Sequence, residues 1–138
     1  MTIDTLEGYR GIASGVEAIE MEIQTLYTPI SSPNGRETSG SFSSTPSDPT
    51  AHSAMRIIDL RETLAEQREA MYAMLEEIEE WLITCEDPEI VSIIRWHYLL
   101  GLNWKQTNMK VYGYPDYDRS RKKIVRFFRK TEMAELSE

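Results

Sequence analysis

The sequence predicts an all-α protein: an N-terminal two-helix, coiled-coil-like hairpin with a long flexible linker, followed by a C-terminal helix-turn-helix. Three observations carry this expectation. Apolar residues on both sides of a polar central stretch recur in steps of three and four, the spacing of one helix face. The central stretch holds too little apolar surface to fold. Residues 95–130 then set ten Lys/Arg against two Asp, a net of +8, among capping residues and turn glycines. The remaining residues carry 5 basic and 21 acidic side chains, a net of −16, which accounts for the chain total of −8.

The first helix is expected over residues 1–27. Tyr9, Ile12, Val16, Ile19, Ile23 and Leu26 form its apolar seam, with Glu17, Glu20 and Glu22 off it. Gly8, Gly11 and Gly15 each cost about 1 kcal/mol of helix propensity relative to Ala, so its first half needs packing to hold. Residues 28–52 follow as the linker. Seventeen of these 25 residues are Ser, Thr, Pro or Gly, and Ile30 and Phe42 are the large apolar ones. A flexible chain of this length spans on the order of 25–30 Å, enough to return alongside a helix without dictating the turn. A heptad helix is expected over residues 53–86, with Ile57, Leu60, Leu64, Gln67, Met71, Met74, Ile78, Trp81 and Cys85 on one stripe and Leu75 and Leu82 widening it.

A third segment, residues 87–130, begins at Asp87-Pro88-Glu89. Asp87 suits a helix N-cap, Pro88 the first turn and Glu89 the positive dipole end. Ile90, Ile93, Ile94, His97 and Leu100 continue at helical spacing, and Gly101 supplies a stop. Asn103-Trp104-Lys105-Gln106 has capping-box form and starts a short helix through about Tyr112. Gly113 ends it, Tyr114-Pro115-Asp116 forms a turn, and a last helix runs from about Tyr117 to Lys130 with Ser120, Ile124, Phe127 and Phe128 inward. Residues 131–138 read as an acidic tail.

A short helix, a glycine-containing turn and a basic helix make the pattern of a helix-turn-helix, whose last helix enters the major groove of double-stranded DNA. On that geometry Asp118, Arg119, Arg121 and Lys122 are candidates for base edges, and Lys123, Arg126, Arg129 and Lys130 for phosphates. Arg pairs two donors with guanine, whereas Lys mainly contributes charge. A polyanion is repelled by the whole chain but attracted to this stretch, because steering acts within a Debye length of roughly 8–10 Å.

The layout resembles the phage-encoded late-gene transcription regulators of the RinA/ArpU type, whose C-terminal part is like region 4 of sigma-70 factors. The resemblance rests on the order helix, Ser/Pro/Gly-rich linker ending in Pro46-Ser47-Asp48-Pro49-Thr50, heptad helix, then Arg95-Trp96-His97-Tyr98-Leu99 and the helix-turn-helix around Trp104. It covers most of the chain in layout and residues 89–130 at motif level. It implies activation of late genes through promoter binding. One position departs from the pattern: Asn108 stands where such motifs usually have a small residue, often Ala. The packing of the last two helices, and the register of the second, turn on how that side chain is housed.

Other classes find less support. The run Glu76-Glu77-Ile78-Glu79-Glu80 comes without a Gly-rich phosphate loop or a Ser-His-Asp set, so it reads as a solvated helix face and the chain as no enzyme, without cofactor or small-molecule substrate. His52 and His97 lack acidic or cysteine neighbours at ligand spacing, and Cys85 stands alone, so no metal site is expected. Trp96, Tyr98, Trp104 and Tyr112 read as packing residues rather than single-strand stacking platforms. No apolar run approaches the roughly 20 residues that span a bilayer, and Met1-Thr2-Ile3-Asp4 lacks the features of a secretion signal, so a cytoplasmic location is expected, and the resemblance implies that the cytoplasm is that of a bacterial host. The expected partners are double-stranded DNA, host RNA polymerase, and a second copy of the chain through the heptad helices. The alternatives are a small terminase subunit and a protein-binding module whose acidic hairpin imitates nucleic acid.

Overall fold

A computed structural model describes residues 1–27 and 51–136. Among these the protein is all-helical and contains no strand. Helices α1 (Ile3–Tyr27), α2 (Ala51–Thr84), α3 (Pro88–Ile93), α4 (Trp104–Tyr112) and α5 (Arg119–Leu136) follow in order, and α3 runs into a π-helical stretch, Ile94–Leu99. The expected linker falls outside the described residues except for Ala51 and His52, which belong to the first turn of α2.

The chain forms two compact units, and they divide inside α1 and α2 rather than at residue 87. One unit comprises Met1–Ser14 and Ala70–Glu138, the other Gly15–Glu69. The first holds the main core: Leu6 and Tyr9 of α1 and Ile78 and Leu82 of α2 pack with Ile90, Ile93, Ile94, Tyr98, Ile124 and Phe128. The C-terminal helices are therefore not closed on themselves. Their apolar faces are wider than three short helices can cover, and the ends of α1 and α2 supply the missing surface. Leu6, fully buried, extends the α1 seam one step upstream of the residues the periodicity picks out.

In the second unit Val16, Ile57, Leu60 and Leu64 are buried, and Gln67, the polar member of the stripe, is half-buried. Arg68 pairs with Glu20 and Arg56 with Glu22, both at 2.9 Å, while Arg61 donates to the Tyr27 hydroxyl at 2.6 Å. These two segments run in opposite directions, since Glu20 meets Arg68 and Tyr27 meets Arg61. The ion pairs are exposed, so apolar burial holds the unit and the charges align it.

Local chemistry explains the C-terminal helix ends. Asp87 Oδ1 accepts from the Glu89 and Ile90 amides, with Pro88 in the first turn. Asn103 and Gln106 form a reciprocal capping box at 2.8 and 3.0 Å. Gly113 closes α4 at φ 88°, a left-handed conformation that favours glycine. The expectation for the end of the third segment needs correction. Leu100 does not continue the apolar face: it is exposed, and Tyr98 is buried in its place. The π turn is the cause, because the Leu100 amide reaches back five residues to the Arg95 carbonyl and so rotates the end of the helix. Helix α5 also differs, starting at Arg119 and running through residues expected as tail. Asp116 Oδ1 accepts the Asp118 amide and holds 116–118 as a turn, and Glu132, Met133, Ala134 and Leu136 are good helix formers that extend the far end.

Candidate nucleic-acid interface

Helix α5 turns Ser120, Ile124 and Phe128 into the core, leaving its opposite face to solvent. At about 100° per residue, Arg119, Lys122, Arg126, Arg129 and Lys130 share one outward arc of about 100°. All five are exposed. The side chains of Lys122, Arg126, Arg129 and Lys130 make no hydrogen bond or ion pair among the described residues. The result is a stripe of uncompensated positive charge about 16 Å long, from Arg119 to Lys130.

The other residues singled out on this helix have partners within the fold. Lys123 Nζ lies 2.8 Å from Glu89 Oε2 and 3.6 Å from Asp87 Oδ2, tying α5 to the start of α3. The bond to Lys123 holds the Glu89 carboxyl below its usual range. Lys123 thus stands apart from the free stripe, where the sequence had placed it among phosphate contacts. Arg121 pairs with Asp118 at 3.1 Å on another side of the helix, so each offsets the other's charge. Arg95, counted in the basic segment, is turned to α2, where its two terminal nitrogens meet Glu79 at 2.8 and 3.0 Å.

Arg119 is held differently. Its guanidinium lies 3.8 Å from the centroid of the Tyr112 ring, and Nη1 donates to the Tyr114 hydroxyl at 2.8 Å. The last turn of α4 and the turn before α5 thereby fix the first residue of α5. On α4, Lys110 lies over Trp96 at 5.2 Å and Lys105 near Tyr117 at 5.8 Å.

Asn108 sits at the crossing of these elements and is fully buried. Its Nδ2 donates to the Tyr114 carbonyl at 2.7 Å, and its Oδ1 accepts from Ser120 Oγ at 3.0 Å. The larger residue is thus housed by a polar staple that joins α4, the turn and α5. Ser120, a position the pattern gives simply as inward, is its counterpart. Thr107, buried beside it, has no partner for its hydroxyl among the described residues.

Arg10 is a further contributor that sequence reasoning missed. Its Nε donates to the His97 carbonyl at 3.1 Å, and its Nη2 lies 3.3 and 3.4 Å from the Gly101 and Leu102 carbonyls. It thereby satisfies carbonyls at the end of the π stretch and sets the approach to the Asn103 cap. His97 donates from Nδ1 to the Leu102 carbonyl at 2.7 Å and stacks on Trp104 at 3.6 Å. Burial, reinforced by Arg10, lowers its pKa to about 4, so the ring is neutral at pH 7.

Among the described residues there is no group of three or more His, Cys, Asp or Glu able to hold a metal ion, and no helix long and apolar enough to cross a membrane. Comparison of the chain with family models, curated proteins and solved structures found no match.

Proposed function

We propose that the chain is a sequence-specific, double-stranded-DNA-binding transcription regulator of phage or prophage type, acting in the cytoplasm of a bacterial host. In this reading α4, the turn at Gly113 and α5 form a helix-turn-helix, and α5 lies in the major groove. The observation that carries it is the outward stripe of Arg119, Lys122, Arg126, Arg129 and Lys130, whose charge nothing described offsets in an otherwise acidic protein. Lys123 and Arg121 on the same helix are, by contrast, paired with carboxylates. Helices α1 and α2 form the hairpin arm, and its acidic outer face favours DNA meeting the protein at α5 alone. That arm contacts host RNA polymerase or a second copy of the chain. The resemblance to late-gene regulators makes activation the sign of regulation. The protein has no enzymatic role in this account.

Immunoprecipitation of tagged protein from phage-infected cells, followed by sequencing of the bound DNA, tests the assignment. A peak at a late-gene promoter is expected. A peak confined to a packaging site would replace regulation by a terminase role, and absence of any DNA enrichment would overturn the reading.

A further inference from the structure

A side chain that reads a base has to be fixed before contact and still carry donors and charge for its target. The basic residues of α5 divide on these two conditions. Lys123 and Arg121 are fixed, but by carboxylates that offset their charge. Lys122, Arg126, Arg129 and Lys130 keep their charge, but no described partner fixes them. Arg119 meets both conditions, because the groups that hold it, the Tyr112 ring and the Tyr114 hydroxyl, are neutral phenols.

The hold is itself anchored. Tyr112 is half-buried, and its hydroxyl feels the carboxylate of Glu89, which is paired with Lys123. The Tyr114 carbonyl accepts from buried Asn108. The platform is thereby tied to α3, α4 and α5, and the guanidinium plane it sets stands exposed at the first residue of α5. One donor at Nη1 goes to Tyr114, and the planar fork carries five in all. In the major groove guanine presents N7 and O6, two adjacent acceptors that match two parallel N–H groups of such a fork. A lysine in the same place offers a point charge with no such pairing.

We propose that Arg119, laid on the Tyr112 ring and tied to the Tyr114 hydroxyl, is the guanine-reading side chain of this DNA site, with Tyr112 and Tyr114 as its positioning residues. The inference rests on the DNA-binding reading and goes further by assigning one base and one residue. Asn108 belongs to the same chain of causes, since it fixes the turn that carries Tyr114.

The test uses the full chain and the duplex it prefers, obtained by selection from a random library. Each guanine of that duplex is replaced in turn by 7-deazaguanine, which lacks the N7 acceptor, and binding is followed by fluorescence anisotropy. Wild-type protein should lose about 5- to 150-fold in affinity at one guanine. Arg119→Lys should bind the unsubstituted duplex more weakly by a similar factor, show no further loss at that guanine, and keep its affinity for a scrambled duplex. Tyr114→Phe should lose part of the discrimination at that same guanine with an unchanged melting temperature. If no guanine is sensitive, or if Arg119→Lys still senses it or weakens all duplexes alike, Arg119 is a phosphate contact or a packing residue and the inference fails while DNA binding stands. If Tyr114→Phe lowers the melting temperature and leaves discrimination intact, the positioning role fails. If wild-type protein binds no duplex at all, the DNA-binding reading falls and this inference with it.

Discussion

Replacing Asn108 by alanine tests whether the polar staple fixes the crossing of α4 and α5. Alanine keeps the helix and removes only the amide, so a neutral outcome would be unremarkable if the side chain were incidental. The geometry predicts otherwise. The substitution removes two hydrogen bonds, at 2.7 and 3.0 Å, each worth a net of about 1 kcal/mol. It also leaves the fully buried Ser120 hydroxyl without its acceptor, a penalty of about 1–3 kcal/mol. A small void adds to this unless the helices close. The expected loss is about 3–5 kcal/mol, which in a chain of this size lowers the melting temperature by roughly 10 °C or more. Urea unfolding followed by circular dichroism and by tryptophan fluorescence measures it. Ser120→Ala in the Asn108→Ala background should cost about 1 kcal/mol less than it does alone, because the hydroxyl it removes is already unpaired. Asn108→Ala within about 0.5 kcal/mol of wild type, or strict additivity of the two changes, would refute the staple.

The seams predict that Ile78→Ala and Leu64→Ala each cost about 2–5 kcal/mol, while exposed Glu77→Ala stays within about 0.5 kcal/mol in the same unfolding assay. Arg10→Ala should cost about 2 kcal/mol by freeing the carbonyls of His97 and Gly101 and removing one of the two donors to that of Leu102, and Arg10→Lys should recover less than half, since an ammonium cannot fork to them. His97 gives a pH dependence with a definite sign. Its pKa is about 4 in the fold against an ordinary 6.5, so the unfolded chain takes up the proton first as pH falls. The stability from the neutral ring is whole above pH 6.5 and drains as pH drops toward 4, reaching a loss of about 2 kcal/mol by pH 5. Glu79 and Glu89, whose pKa values are lowered from 4.5, contribute their own loss below that window. Urea midpoints from pH 7.5 to 5 should fall for wild type and stay nearly flat for His97→Gln, and a flat wild-type profile would contradict the buried neutral ring.

The all-α class was legible because it is written in local terms. A seam repeats every three or four residues, and every position of the α1 and α2 seams from Tyr9 to Cys85 is buried or half-buried within its unit. Caps are equally local, and Asp87, Asn103 with Gln106, and Gly113 act where their residue types place them. What the sequence did not disclose depends on distant partners. Arg10 meets carbonyls some ninety positions away, and no spacing rule connects them. The π turn that exchanges Leu100 for Tyr98 changes the helical period itself, so a fixed-period reading misplaces both. On α5 the side facing out was readable from Ser120, Ile124 and Phe128. Which cations remain free was not, because Glu89 comes to Lys123 through the packing of α3 on α5. The departure at Asn108 was visible as a residue, but its remedy lies in Ser120, twelve positions on.

The central claim is that the free cations of α5 meet DNA phosphates, and the salt dependence of binding tests it most directly. With the four free cations Lys122, Arg126, Arg129 and Lys130 each neutralising one phosphate, log K against log salt should have a slope of about −3.6. Arg126→Ala and Lys130→Ala should weaken binding to a preferred and a scrambled duplex alike and flatten that slope by about one each. Lys123→Ala should leave the slope unchanged, since its ammonium is already engaged by Glu89 and Asp87. Fluorescence anisotropy across a salt series gives all four slopes. Wild-type protein that binds neither duplex at about 50 mM salt, where even sequence-independent contacts register, would contradict the account.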